Sequence, residues 1–238
     1  MIRLFAIPYA FGSANIYCDL GNEIDTNIEV IPVEYSGHGR RSNEPLLLSL
    51  QEIAQDVYSQ IQNKIQGEYV ILGYSMGGTV AYELFRLIKK SGKPLPKCVL
   101  AFGGTEHDYP HRKADFETYN IDQIAKLLKE FGGTPQELLE EEEIIEMVSP
   151  VVISDCIALR DYTPSPYEEN AISVPLTVLR GAEEIELENC DKCWRKYCSS
   201  DLRYSLVPGG HFFMFDNEGE RTAEFARIIE NEILKVVS

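Results

Sequence analysis

The sequence predicts an α/β fold: a mainly parallel central sheet flanked by helices on both faces. Short β-rich runs alternate with helical patterns along most of the chain, the order expected of parallel strands joined through helices. One of those strand-to-helix junctions reads Gly73-Tyr74-Ser75-Met76-Gly77-Gly78, a sharp turn with a serine at its apex. The 238 residues contain no Pro/Gly/Ser-rich linker or abrupt change of composition, so a single domain spanning 1–238 is expected.

Strands are expected near 2–8, 28–34, 68–74, 97–103, 174–180 and 202–207, and helices near 50–66, 77–90, 187–198 and 218–236. The helix from Leu50 carries a capping-box pattern, Ser49-x-x-Glu52. Its apolar residues Leu50, Ile53, Ala54, Val57, Ile61 and Ile65 fall on one face, and Gly67 is its expected stop. Residues from about 107 to 170 break the alternation. They hold an amphipathic stretch (Ile121, Ile124, Leu127, Leu128), a Gly132-Gly133-Thr134-Pro135 turn with a second capping pattern at Thr134-x-x-Glu137, and a long helical run to about Asp161. The acidic run Glu140–Glu143 reads as a solvated helix face. An all-helical insertion at this point of the chain is expected to be a lid, with Ile124, Leu128, Val148 and Ile157 lining its underside toward Ser75.

The formal net charge of −16 disfavours nucleic acid and anionic membranes as general partners, because both require clustered cations. Arg40-Arg41, Arg86 with Lys89-Lys90, and Arg112-Lys113 are the local basic candidates, each read as solvated surface. Hydrophobic residues make up 44%, but no apolar run is long enough to span a bilayer. With no secretion-type leader in view, a cytoplasmic protein with six reduced cysteines is expected. Cys190-x-x-Cys193 with Cys198 lacks a fourth nearby ligand and lies in a helical pattern, so neither a metal nor a cofactor is expected.

The chemistry concentrates at Ser75. A serine on a strand-to-helix turn takes strained backbone angles, and Gly73 and Gly77 remove the side chains that would collide around it. The helix beginning at Met76 directs unpaired amides at the site where an oxyanion would form. A serine nucleophile needs a histidine to accept its proton and a carboxylate to orient that histidine. In the α/β-hydrolase order the acid and then the histidine follow the serine. Of the four histidines, His211 sits after the last strand in a Gly209-Gly210 turn. His38 precedes the serine, and His107 and His111 lie at the mouth of the insertion. The acid should follow the strand around Leu176–Leu179, in Arg180-Gly181-Ala182-Glu183-Glu184. Glu184 is preferred to Glu183, with Asp191 third; Glu106 and Asp108, after the strand that follows the serine, form a separate possibility. Met76 offers one oxyanion amide, and the loop Pro8–Ser13 should offer the second.

Five segments together resemble the type II thioesterases of nonribosomal peptide and polyketide synthesis: Pro8-Tyr9-Ala10-Phe11-Gly12-Ser13-Ala14, Ser36-Gly37-His38-Gly39-Arg40-Arg41, Gly73–Gly78, Phe131–Leu139 and Gly209-Gly210-His211. The resemblance implies an α/β-hydrolase fold with a helical lid, and hydrolysis of acyl groups from the phosphopantetheine arm of acyl or peptidyl carrier proteins. It places the catalytic triad on Ser75, Glu184 and His211 and the oxyanion hole on the amides of Ala10 and Met76. The arm belongs to the substrate, so no cofactor is implied, and the carrier must be a separate protein meeting a monomeric enzyme. Four positions depart from the family. Phe11 stands where a second glycine is usual, Glu184 where aspartate is usual, Ser36 replaces a proline, and Ile153-Ser154-Asp155 occupies the place of Arg-Ala-Asp. A small-molecule esterase or lipase-like hydrolase, and a catalytically silent binding partner on the same fold, are the rival readings.

Overall fold

The computed structural model describes residues 1–103, 114–164, 171–184, 194–215 and 220–237. Its six strands are β1 (Ile2–Ile7), β2 (Ile28–Pro32), β3 (Tyr69–Tyr74), β4 (Val99–Phe102), β5 (Leu176–Gly181) and β6 (Leu202–Val207). They form one sheet in the order β2-β1-β3-β4-β5-β6, and every neighbouring pair is parallel. β3 and β4 are buried end to end, which is why they read as unbroken apolar runs instead of alternating ones.

Helices α1 (Leu20–Glu23), α2 (Leu50–Ile61), α3 (Met76–Lys90) and α7 (Glu220–Val237) lie against the sheet. The pleat sends successive side chains to opposite faces. Phe5 and Ile71 join Ile53 and Val57 of α2 and Val80 and Leu84 of α3 in one core. Leu4 and Leu72 join Leu20 of α1 and Phe225, Ile229 and Ile233 of α7 in the other. The strand order reverses between β1 and β3, because the chain runs outward from β1 to β2 and then crosses back. In an open parallel sheet, the crevice beyond the strand ends at such a reversal is the natural ligand site. The loop after β1 and the turn after β3 both open there.

One end of α2 differs from expectation. Helix α2 ends at Ile61 rather than near residue 66, and the chain leaves through a turn in which the Lys64 amide donates to the Ile61 carbonyl at 2.7 Å. Ile65 still reaches the core from that turn, so its apolar spacing mimics one more helical turn. Its N-terminus is capped as expected on one side, the Ser49 hydroxyl accepting from the Glu52 amide at 3.2 Å.

Residues 114–164 hold α4 (Ile121–Phe131), α5 (Gln136–Leu139) and α6 (Glu142–Arg160) and no strand. The reciprocal capping box belongs to Asn120 and Gln123 at the start of α4. The one expected at Thr134-x-x-Glu137 does not form, because Pro135 is extended (φ −54°, ψ 140°) and becomes the N-cap of α5 without a side-chain bond. Ile124, Leu128 and Ile157 bury themselves in a third cluster, with Val148 packed at its margin; Phe11 reaches into this cluster from the loop after β1. Glu140–Glu143 are exposed, as a solvated face requires. Among the described residues no helix is long and apolar enough to cross a membrane.

Candidate active site

Ser75 follows β3 directly and has φ 52° and ψ −118°. Among the described non-glycine residues only Ser75 and Phe11 (φ 68°) have positive φ, a region in which a β-carbon crowds the following carbonyl. The elbow is held by close backbone packing. A β-carbon on Gly73 would stand 2.1 Å from the Gly77 carbonyl oxygen, and one on Gly77 would stand 2.5 Å from that of Ile7 and 2.6 Å from that of Pro8. The same glycines that permit the turn therefore press it against the start of the loop after β1. The Ser75 amide donates to the Phe102 carbonyl at 2.7 Å, and the Gly78 amide to the Ser75 carbonyl at 2.8 Å.

His211 Nε2 lies 2.9 Å from Ser75 Oγ, and its Nδ1 lies 3.2 Å from Glu184 Oε2. A carboxylate can only accept, so it selects the tautomer with hydrogen on Nδ1 and leaves Nε2 free to take a proton from the serine. Glu184 is held from behind: Arg180 Nη2 donates to Oε2 at 2.6 Å and the Gly181 amide to Oε1 at 2.9 Å. Burial works against the Glu184 charge, but the bonds from His211 and Arg180 outweigh it and lower the carboxyl from its ordinary 4.5 to about 2.

The loops carrying acid and base are joined through the backbone. Ala182 donates to the Val207 carbonyl at 2.7 Å and Glu183 to the Gly209 carbonyl at 3.0 Å. A β-carbon on Gly181 would sit 2.1 Å from the Gly210 carbonyl oxygen. Tyr74, the residue before the nucleophile, donates its hydroxyl to the His211 carbonyl at 2.6 Å.

Of the alternatives, Glu183 is exposed and only its amide joins this network. Glu106, Asp108, Asp191, His107, His111, Arg112, Lys113, Cys190 and Cys193 lie outside the described residues. His38 is buried, with Nδ1 3.0 Å from the Ser36 carbonyl and Nε2 3.1 Å from Asp155 Oδ2. Met76 is the first residue of α3, so its amide has no partner within the helix. The Ala10 amide donates to no other described residue, whereas the next amide, that of Phe11, donates to Asp155 Oδ2 at 2.7 Å. Among the basic residues named from the sequence, Arg40 pairs with Glu34, Arg41 with Glu44 and Asp56, and Arg86 with Glu83, while Lys89 and Lys90 are exposed. Among the described residues no group of three or more His, Cys, Asp or Glu side chains could hold a metal, and Cys18, Cys98, Cys156 and Cys198 are free thiols.

Two contributors were not foreseen. Arg180 lies one turn of chain before Glu184, and its position at the end of a buried strand was the available signal. His38 falls within a matched segment and Asp155 within a stretch that departs from the family, but their contact spans 117 positions, which a single sequence does not reveal.

A parallel sheet with a serine elbow and a His–Glu relay at its carboxyl edge defines an α/β-hydrolase. The thioesterase domain family matches residues 2–233, so the chain belongs to that family and is a thioester hydrolase. Gramicidin S biosynthesis protein GrsT of Aneurinibacillus migulanus is 27% identical over 224 residues, covering 92% of this chain and 85% of the relative. The medium-chain S-acyl fatty acid synthase thioesterase of Homo sapiens is 26% identical over 236 residues, covering 98% and 86%. Among solved structures, ClbQ from the colibactin NRPS/PKS pathway superposes with a TM-score of 0.86 at 24% identity, covering 98% of this chain and 99% of that one. This last likeness bears on the fold.

Proposed function

We propose that this thioesterase cleaves acyl groups from the phosphopantetheine arm of carrier proteins in a nonribosomal peptide or polyketide synthetase, clearing arms blocked by unproductive groups. The observation that carries the reading is the Ser75–His211–Glu184 relay, with the Met76 and Ala10 amides donating to no other described residue, in a chain of the thioesterase family.

Ser75 Oγ attacks the thioester carbonyl as its proton passes to His211 Nε2, and the Glu184 carboxylate stabilises the resulting imidazolium. The amides of Met76 and Ala10 receive the oxyanion. Collapse expels the pantetheine sulfur, which leaves readily as thiolate and takes the proton from His211, so an ester on Ser75 remains. Water then gives a proton to His211 and attacks that ester, and collapse releases the acid and returns the proton to Ser75 Oγ.

Helices α4–α6 serve as a lid over this site. The Phe131 ring at the end of α4 packs on Phe11 at 5.4 Å between centroids, and Gly133 lies against the Phe212 ring next to His211. The relative named for gramicidin S biosynthesis supports a synthetase as the partner. The enzyme acts as a monomer in the cytoplasm and uses no cofactor of its own.

The test compares an acyl group presented on pantetheine attached to a carrier protein with the oxygen ester of the same acyl chain. The carrier thioester should be turned over with the higher kcat/KM. Equal or faster cleavage of the oxygen ester would make the protein a general esterase.

A further inference from the structure

The loop after β1 carries the second strained residue of the fold, and the group that holds it lies far away in sequence. The Phe11 amide donates to Asp155 Oδ2 at 2.7 Å, and the same oxygen faces His38 Nε2 at 3.1 Å. Asp155 belongs to α6 and is fully buried. Its other oxygen, Oδ1, has no hydrogen-bond partner among the described residues. Both nitrogens of His38 face acceptors, the Ser36 carbonyl and the Asp155 carboxylate, so the ring is satisfied only as an imidazolium. Burial disfavours that charge, but the bond to Asp155 and its field outweigh burial and raise the His38 pKa.

This is an expensive arrangement for stability alone. A buried ion pair seldom gains over well-packed apolar side chains of the same volume, and an unpaired buried carboxylate oxygen makes the balance worse. What the pair holds suggests its use. Phe11 adopts a backbone conformation that favours glycine, and it immediately follows Ala10, whose amide donates to no other described residue. The loop leaves β1 at Pro8, whose carbonyl is in close contact with the nucleophile turn at Gly77. A second buried carboxylate, Glu34, accepts from the Ala14 amide at 2.8 Å at the other end of the loop.

We propose that Asp155, oriented by His38, is a positioning residue for the oxyanion hole. Its bond to the Phe11 amide holds the Ala10–Phe11 peptide in the left-handed turn that sets the Ala10 amide. Because Asp155 rides on α6, the lid helix is mechanically part of the hole. This rests on the Ser75 mechanism proposed above.

The experiment is a double-mutant cycle on steady-state turnover of an acyl-pantetheine thioester, with thermal unfolding of each variant and Ser75→Ala as control. Asp155→Ala should lower kcat by on the order of 10² with KM changed less than about threefold, since a misplaced oxyanion donor harms the transition state more than the bound substrate. Asp155→Asn can keep an acceptor oxygen at the Oδ2 position, where it still accepts from the Phe11 amide and from a neutral His38 carrying its hydrogen on Nε2, so it should recover most of that loss. In a Phe11→Gly background, where the turn is intrinsically accessible, Asp155→Ala should cost at least fivefold less than in the natural sequence. If Asp155→Ala acts on KM alone, or if it costs the same in both backgrounds, Asp155 is a structural residue and the proposal fails. Should Asp155→Ala prove too unstable to purify, the Asn variant and the Phe11→Gly/Asp155→Ala double variant decide it, since both must then be folded and active. Turnover surviving in Ser75→Ala would instead overturn the underlying mechanism, while a dead Ser75→Ala beside a fully active Asp155→Ala would overturn only the positioning role.

Discussion

The nucleophile turn and the oxyanion loop both place a non-glycine residue in left-handed backbone, Ser75 at φ 52° and Phe11 at φ 68°, and they hold it by opposite means. At Ser75 the restraint is steric. Gly73 lies against the Gly77 carbonyl and Gly77 against the carbonyls of Ile7 and Pro8, backbone on backbone, at separations no side chain could share. At Phe11 the restraint is a hydrogen bond donated to a buried carboxylate 144 positions away, on α6. A turn locked by packing has nowhere to relax, whereas a turn locked by one polar contact can be released by whatever moves its partner.

The sharpest break is at the nucleophile. Ser75→Ala should reduce thioester hydrolysis by on the order of 10⁶ while the circular dichroism spectrum and melting temperature stay near those of the natural protein. Retained turnover in a well-folded variant would remove Ser75 from the mechanism. Glu184→Gln should cost on the order of 10⁴ in kcat, because an amide cannot stabilise the imidazolium and can hold His211 in the wrong tautomer. Glu183→Gln, at an exposed position, should change kcat less than about threefold on the same reasoning; the reverse ranking would transfer the role to Glu183.

The Glu184 carboxyl also makes a pH prediction. Its folded value, about 2, is below the ordinary 4.5, so its contribution to stability is fully present above the ordinary value and is lost as pH falls through the folded one. The stability difference between the natural protein and Glu184→Gln, measured by denaturant unfolding, should be constant from neutral pH down to the ordinary glutamate value and shrink below it. A difference that grows on acidification would contradict the assigned environment.

Substitutions at glycine positions then separate the two turns. Gly73→Ala should destabilise by about 3 kcal/mol or more, or prevent accumulation of folded protein, since the backbone it strikes belongs to the core. Phe11→Gly relieves a left-handed side chain but gives up the ring contact with Phe131 and adds chain entropy, so the net change should stay within about 1 kcal/mol. A loss at Phe11→Gly as large as that at Gly73→Ala would mean that the loop, like the elbow, is held by packing.

This difference in mechanism also explains what could be read from the sequence. The elbow writes itself locally: glycines at 73 and 77, an apolar run before and a helical pattern after give the turn and put Ser75 at its apex. His211, named from its place after the last strand, and Glu184, named from the loop after β5, lie in one hydrogen-bonded chain with Ser75. Ile65 misled because a turn can bury an apolar residue at helical spacing, and the Thr134 capping pattern failed because Pro135 took the cap position. The restraint on Phe11 was unreadable for a different reason. It depends on how α6 lies over the sheet, and no local rule relates position 155 to position 11.

The acid loop has its own consequence for how this site tolerates change. Glu184 curls back so that Oε1 accepts from Gly181, three residues earlier on its own strand end, while Oε2 meets Arg180 and His211. The carboxylate is thus gauged against the strand that delivers it, and the extra methylene relative to aspartate is taken up inside that small ring instead of being passed on to the histidine. Shortening the side chain by Glu184→Asp, although it restores the more usual acid, would open the ring unless the loop also changed.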